Sequence, residues 1–391
     1  DELVTGAGID LVRRSAVRVD LAARQVEDSA GDRYAYEKLF ISTGARPALP
    51  PVPGSDADNV YTVKTQQDME RLIGRVGTAR RAVVVGAGAI GVEQAQAYRT
   101  QGLAVHLVDL ASHVLPAMLD REMAAPVQAT LEQEGILLTL GVRLERLERQ
   151  GAGVSRVVLS DGSGIDLDPE LDFVCFAVGM EPDVDLFRGQ GMEIARDGIV
   201  VDSRMRTSVP DVYAGGDCCA GISAIDGRPI GGKLATNAVP MGKIAARVLA
   251  GLDDEYPGYY NGAATCAYQW RIGSTGFTAE AARSRGIETL SGEAETTTLF
   301  PMMPGAGSLK VKVVADAGDH RIVGGQVLSN LPAADKVDVL TLAIQNRMTL
   351  KAMAKLSYSA QPWQSFFPAR SALVDACEGA LESVSDAEVT P

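Results

Sequence analysis

The sequence predicts an α/β protein closed by a separate α+β domain, and three observations carry that prediction. "RRAVVVGAGAIGVEQAQAYRTQGLAVHLVDL" (80–110) reads as a buried strand, a glycine turn, an Ala-rich helix and a second strand, a βαβ unit. Before it, residues 9–43 alternate apolar and polar side chains as strands do. After Gly262, strands precede helices, the order of an α+β domain. A chain of 391 residues is long for one domain and fits two or three.

Taken in order, "IDLVRR", "AVRVDL", "RQVED" and "RYAYEKLFIST" are expected strands, with a turn at Ser29–Asp32. "TGARPALPPVPG" (43–54) is Pro-rich and reads as a linker. "TQQDMERLIG" is a short helix with a polar cap at Thr65. Beyond the βαβ unit come a helix, "REMAAPVQATLEQEGI", a hairpin around Asp161–Gly164 and the apolar strand "FVCFAVG". A strand running into a glycine turn follows in "TSVPDVYAGGD" (207–217), then a helix from about Ala238 to Ala250. The last part offers the strands "SLKVKVVA" and "RIVGGQVLS" and the helices "ADKVDVLTLAIQNR" and "LKAMAKL".

Composition removes several classes of function. A net charge of -13 argues against a nucleic-acid partner, which binds through neutralised phosphates. No apolar run approaches the roughly 20 residues needed to span a bilayer. The opening "DELVTGAGID" is acidic and lacks the apolar core of a secretory leader. Five scattered cysteines form no disulfide framework, so a reducing cytoplasm is the expected location. No His/Cys/Asp group has metal-ligand spacing, so no metal is expected.

"VVVGAGAIGVE" satisfies Gly-x-Gly-x-x-Gly at Gly86, Gly88 and Gly91. The first glycine permits the tight turn, the second lets the backbone approach a pyrophosphate, and the third lets helix and strand pack closely. Asp109 ends the next strand, eighteen residues past Gly91, where an acid receives a ribose 2′-hydroxyl. No arginine follows it closely to take a 2′-phosphate, which favours NADH over NADPH. "TGAGIDL" at Thr5 has no preceding strand and no third glycine, and is not a nucleotide loop.

"VYAGGDCCAG" (212–221) sets two adjacent cysteines beside an aspartate. Neighbouring Cα atoms lie about 3.8 Å apart, whereas disulfides prefer about 4.4–6.8 Å, so Cys218 and Cys219 read as packing rather than as a redox pair. Asp217 is the more informative residue. An acid at the tip of such a turn accepts hydrogen bonds from a polyhydroxyl chain, while the surrounding N–H groups face phosphate. A turn aspartate also stabilises its own turn, and both readings stay open on these residues alone.

Together these segments resemble the pyridine nucleotide–disulfide oxidoreductase family, in order and over nearly the whole chain. "LFISTGARP" is similar to the motif that touches FAD near its pyrophosphate, which implies FAD contacts at Thr43, Gly44 and Ala45. "RTSVPDVYAGGDC" is similar to the second FAD motif, which implies Gly216 and Asp217. "KLATNAVPMGKIAARVLAG" and "STGFTAEAARSRG" most resemble the branch of NADH oxidases, NADH peroxidases and coenzyme A-disulfide reductases, which adds Ala238 as a flavin contact. For NADH the resemblance implies Gly86, Gly88, Ile90, Gly91, Glu93, Asp109 and Gly179. Glu93 matches the position near the nicotinamide, and equally suits a solvated first-turn acid.

The resemblance implies two Rossmann-like domains, for FAD and NAD, with the NAD domain inserted in the FAD domain, plus a C-terminal α+β dimerisation domain. The expected boundaries are 1–79 and 203–258 for the FAD part, 80–202 for the NAD part and 259–391 for dimerisation, in a homodimer. The family begins with its own βαβ unit and a redox cysteine on the helix that follows. Neither is present, so 1–79 is expected to be the second half of a flavin domain, with the redox cysteine not among the five. His106, His113 and His320 form no C-terminal His–Glu pair. Tyr358 in "LSYSAQPWQSFFPARS" is the nearest match to a catalytic tyrosine of coenzyme A-disulfide reductases. Clusters of aromatics such as Tyr358, Trp363, Phe366 and Phe367 are more often interface packing.

The expected activity is hydride transfer from NADH through flavin to a small disulfide or persulfide, or to O2 or peroxide. The competing expectation is a non-catalytic NADH-binding and dimerisation module.

Overall fold

The computed structural model describes residues 2–365 and 370–389. The chain divides into two compact units: Asp1–Arg46 with Glu181–Ser223 and Gly227–Tyr259, and Pro47–Met180 with Ala224–Asp226 and Tyr260–Pro391.

In the first unit, strands Leu39–Ile41 and Val212–Ala214 pair in parallel. Ile41, Val212 and Ala214 share one apolar cluster with Met241, Ile244, Ala245 and Val248 of the helix Ala235–Leu249. An antiparallel meander of Ala16–Asp20, Gln25–Asp28 and Arg33–Ala35 completes this part.

The second unit holds a five-stranded parallel sheet, ordered Val60–Tyr61, Asp172–Phe176, Arg81–Val85, Ala104–Asp109 and Ile136–Leu140. Asp172–Phe176 is buried at every position, as expected for a parallel strand covered on both faces. Farther along the chain lies an antiparallel sheet, ordered Ala263–Ala267, Trp270–Gly276, Ile322–Ser329, Ser308–Asp316 and Thr289–Thr297. Its Val311, Val313 and Val327 cluster with Leu340 and Ile344 of the helix Ala334–Gln345 and with Ala376 and Cys377 of the helix Ala372–Val389. Its Ile272 and Leu328 instead join Val127 and Leu131 of the helix Arg121–Gln133. The sheet is therefore covered from both sides.

A buried charge pins that second contact. Lys312, only 4 % exposed, bonds Asp120 at 2.9 Å and also Glu122. Asp120 further accepts from Gln326 Nε2 at 2.7 Å and from the Ala279 amide at 3.1 Å. Burial pushes the Asp120 carboxyl up, but Lys312, the Ala279 amide and Gln326 outweigh it and hold the group below its ordinary range.

Three local expectations change. Residues 9–14 form no strand: Ile9, Leu11 and Val12 are 55, 46 and 45 % exposed, and no described strand pairs with them. Alternation without a ladder partner does not hold a strand. The helix expected to reach Ile136 stops at Gln133, because Gly135 takes φ +83° and starts the turn into Ile136–Leu140. The helix expected from Ala238 starts at Ala235, with Asn237 Nδ2 donating to Gly232 O at 2.8 Å across its first turn. Thr65 caps the helix Gln66–Val76 in a reciprocal capping box with Asp68.

Candidate functional site

The nucleotide loop is built by steric exclusion. Gly86 has φ +110°, and a Cβ there would lie 2.4 Å from the Ala177 carbonyl oxygen. A Cβ on Gly91 would lie 1.7 Å from the Gly86 oxygen, so helix Ala89–Thr100 and strand Arg81–Val85 meet only because both residues lack one. Gly88 differs: nothing lies within 4 Å of its would-be Cβ, which leaves the approach open to a ligand. Gly88 is the helix N-cap and supplies no side-chain bond, so the first-turn N–H groups carry a partial positive charge suited to an anion.

Asp109 stands at the carboxyl end of the neighbouring strand. Its two oxygens accept from the Ala87 amide inside the glycine loop and from the Ala111 amide at 2.6 Å. The acid thus braces the loop. Gly179, at φ +112° with open space around its would-be Cβ, follows Asp172–Phe176 at the same sheet edge. Ile90 is 49 % exposed. Glu93, also exposed, accepts a hydrogen bond from the Thr265 hydroxyl, which arrives from the antiparallel sheet.

The second constellation lies in the other unit, at the carboxyl ends of Leu39–Ile41 and Val212–Ala214. Thr43 Oγ1 donates to Asp183 O at 2.5 Å, and the Asp183 amide donates to Gly44 O at 2.9 Å. Gly44 takes φ +73° with nothing within 4 Å of its would-be Cβ, and Ala45 is buried beside it. Gly216 takes φ +84°, and a Cβ there would lie 3.5 Å from Ala238 Cβ, so the turn meets the first helical turn of Ala235–Leu249. Thr43–Ala45, Gly216–Asp217 and Ala238 thereby converge.

Cys218 and Cys219 lie beneath that turn, 0 and 2 % exposed, with sulfurs 4.0 Å apart. They are two free thiols, and Cys218 Sγ donates to Gly215 O at 3.4 Å. Cys175 is also core, its thiol pushed up to about 11 by burial. Tyr358 lines a 390 Å³ cavity with Thr296, Lys336 and Ser371, while Trp363 is 56 % exposed. Phe366 and Phe367 lie outside the described residues. Among the described residues, no helix is long and apolar enough to cross a membrane.

Two side chains at these sites escape a reading of motifs. Thr265 reaches Glu93 across 172 residues of chain. Lys233 donates from its half-buried ammonium to the main-chain oxygens of Asp217 at 2.6 Å and Asp197 at 3.0 Å. Burial pulls its amine below the usual lysine range, against the upward pull of the Asp217 and Asp197 carboxylates. The one hint in the sequence is a cation placed directly before a helix start, the unfavourable end of the helix dipole.

Residues 4–242 match the pyridine nucleotide-disulphide oxidoreductase family, and residues 263–367 match that family's dimerisation domain. The chain belongs to this family. It is 31% identical over 382 residues to an NADH oxidase of Methanocaldococcus jannaschii, covering 96% of this chain and 83% of that protein. Among solved structures it superposes on an NAD-dependent persulfide reductase from A. fulgidus with TM-score 0.90 and 30% identity, over 97% of this chain and 70% of that one. It superposes on the water-forming NADH oxidase of Lactobacillus brevis bound to NADH with TM-score 0.87 and 27% identity, over 96 and 83% of the two chains. The mixed α/β architecture with a C-terminal dimerisation domain is that of the family, and the matched dimerisation domain points to a homodimer.

Proposed function

We propose that this chain is an FAD- and NADH-dependent oxidoreductase that delivers electrons to a small disulfide or persulfide of coenzyme A type. The observation that carries the reading is the presence, one in each unit, of two glycine-built loops at the carboxyl ends of parallel strands. One has an acid placed for an adenine nucleotide ribose, and the other has an acid placed for a polyhydroxyl tail. We assign 80–180 to NADH, 1–46 with 181–258 to FAD, and 259–391 to dimerisation; against the sequence-based bounds, 47–79 pack with the parallel sheet of the second unit and 181–202 pack with the first. The family match and the NADH oxidase and persulfide reductase relatives support this assignment.

The donor set fits FAD. Asp217 supplies a carboxylate for hydroxyl groups, Gly44 has open space where its Cβ would lie, and Gly216 turns at positive φ beside Ala238 in the first turn of Ala235–Leu249. Bound there, FAD would supply the two-electron relay between NADH and the acceptor. The work of this chain is to bind, orient and exclude water. Gly88 and the Ala89–Thr100 helix start hold the NADH pyrophosphate, and Asp109 receives the adenosine ribose. Glu93, oriented by Thr265, and Gly179 border the nicotinamide end. Asp217 and Thr43–Ala45 hold the flavin tail.

Tyr358, beside its cavity, is the proposed proton donor to a departing thiolate. The persulfide reductase likeness favours a sulfur acceptor, and the NADH oxidase likeness keeps O2 as the runner-up. Five free cysteines suit a reducing cytoplasm. The test is anaerobic NADH consumption by flavin-loaded, full-length protein. Turnover with coenzyme A disulfide or persulfide in the absence of O2 is expected, and turnover only when O2 is admitted would reverse the choice of acceptor. A preparation that never holds flavin would end the whole reading.

A further inference from the structure

The turn that carries Asp217 is cross-braced by one charged side chain. Asp197 lies between strands Ile194–Ala195 and Gly198–Ile199, a hairpin laid against the turn. The Ile199 amide donates to Cys218 O at 2.8 Å, and the Ala220 amide donates to Ile199 O at 2.9 Å. A Cβ on Gly198 would lie 2.4 Å from the Cys218 oxygen, so hairpin and turn are in backbone contact. Lys233 closes the assembly from the third side, one ammonium bonding the main-chain oxygens of both Asp197 and Asp217.

Two features of Lys233 are expensive and call for a reason. Its ammonium is half-buried, which costs solvation, and it stands one residue before Leu234, the N-cap of Ala235–Leu249, where the helix dipole opposes a cation. Charged hydrogen bonds to two carbonyls offset part of that cost. A negative charge arriving at the same place would offset more. Gripping the Asp217 carbonyl also fixes the main chain from which the Asp217 carboxylate projects.

We propose that Lys233 is the positioning residue of the flavin loop: by tying the Asp217 and Asp197 carbonyls together it aims the Asp217 carboxylate at the flavin tail, and its positive charge favours the reduced, more negative flavin. This rests on the flavin reading above. Removing the ammonium should then loosen FAD and lower the flavin's reduction potential, while NADH, bound in the other unit, keeps its KM.

The experiment uses flavin-loaded protein carrying K233M, K233Q, K233R or, as a control, K243M, which changes an exposed lysine on the helix that follows Lys233. FAD dissociation is followed by flavin fluorescence, potential by dye equilibration, and KM for NADH by initial rates. K233M removes both charged hydrogen bonds and is expected to weaken FAD at least about tenfold and to make the potential more negative. K233Q keeps a donor without the charge, so it should hold FAD better than K233M yet share its lowered potential. K233R should restore both properties, and K243M should change neither. If K233M does not fold, the potential of K233Q decides. A neutral variant with wild-type FAD affinity and potential overturns the role of Lys233 but leaves the flavin reading intact. A wild-type protein without flavin would instead show the failure of that reading.

Discussion

The two glycine loops of this molecule are held in place in different ways. Around Gly86–Gly91 the backbone constrains itself: carbonyl oxygens sit 2.4 and 1.7 Å from where Cβ atoms would be, and Asp109 staples the loop through the Ala87 amide. Around Gly216–Asp217 the constraint comes from outside. The hairpin, the thiol pair and Lys233 press on the turn, and a Cβ on Gly216 would meet Ala238 only at ordinary contact distance. One loop is shaped by sterics local to its own sequence and the other by side chains delivered by the fold. The first should fail abruptly when altered, the second by degrees.

The largest effect is expected at the base of the first loop's unit, where Lys312 and Asp120 are both buried. K312M leaves Asp120 as an unpaired buried charge and should lower the unfolding free energy by about 3–5 kcal/mol, read from denaturant melts. The pair also sets a pH dependence. Asp120 is held below its ordinary value, so its stabilisation is complete above about pH 4 and is lost as pH falls through the depressed folded value. Burial pushes the Lys312 amine down, but Asp120 and Glu122 outweigh it and raise it. Its contribution is complete below about pH 10.4 and is lost only as pH climbs past the raised value. K312M should therefore flatten the acid limb of the stability profile.

The comparison itself is tested by matched glycine substitutions. G91A forces a methyl into the Gly86 carbonyl, and overpacking of about 1–3 kcal/mol converts to about a 5- to 150-fold rise in KM for NADH. G216A bears mainly the cost of its positive φ, about 1 kcal/mol, and should loosen FAD only about fivefold by fluorescence titration. Equal penalties at the two positions would erase the distinction drawn between the loops.

The smallest effect is expected from T265V, which removes the donor that orients Glu93. One lost hydrogen bond predicts about a two- to tenfold fall in kcat/KM for NADH, with FAD affinity unchanged. A T265V enzyme with wild-type kcat/KM would make Glu93 a solvated surface acid, the other reading its sequence allows.

Legibility in the sequence follows the same divide. Gly86, Gly88, Gly91 and Asp109 could be read directly, because a tight turn between a strand and a helix restricts residue type within a few positions. Cys218 and Cys219 could be read as packing from chain geometry alone, and the structure buries both as free thiols. Residues 9–14 misled, because alternation reports a strand only where a partner ladder exists, and none of the described strands supplies one. Lys233 was illegible because its partners are carbonyl oxygens, which every residue possesses and no motif records.

By itself the sequence determined the family, the order of the elements and the glycine positions where a side chain cannot fit, since each of these depends on neighbours along the chain. Only the tertiary structure decided which side chains meet: Thr265 and Glu93, Lys312 and Asp120, Lys233 and the Asp217 carbonyl. Such contacts join residues far apart in the chain, and their strength depends on burial and hydrogen-bond geometry that only packing creates.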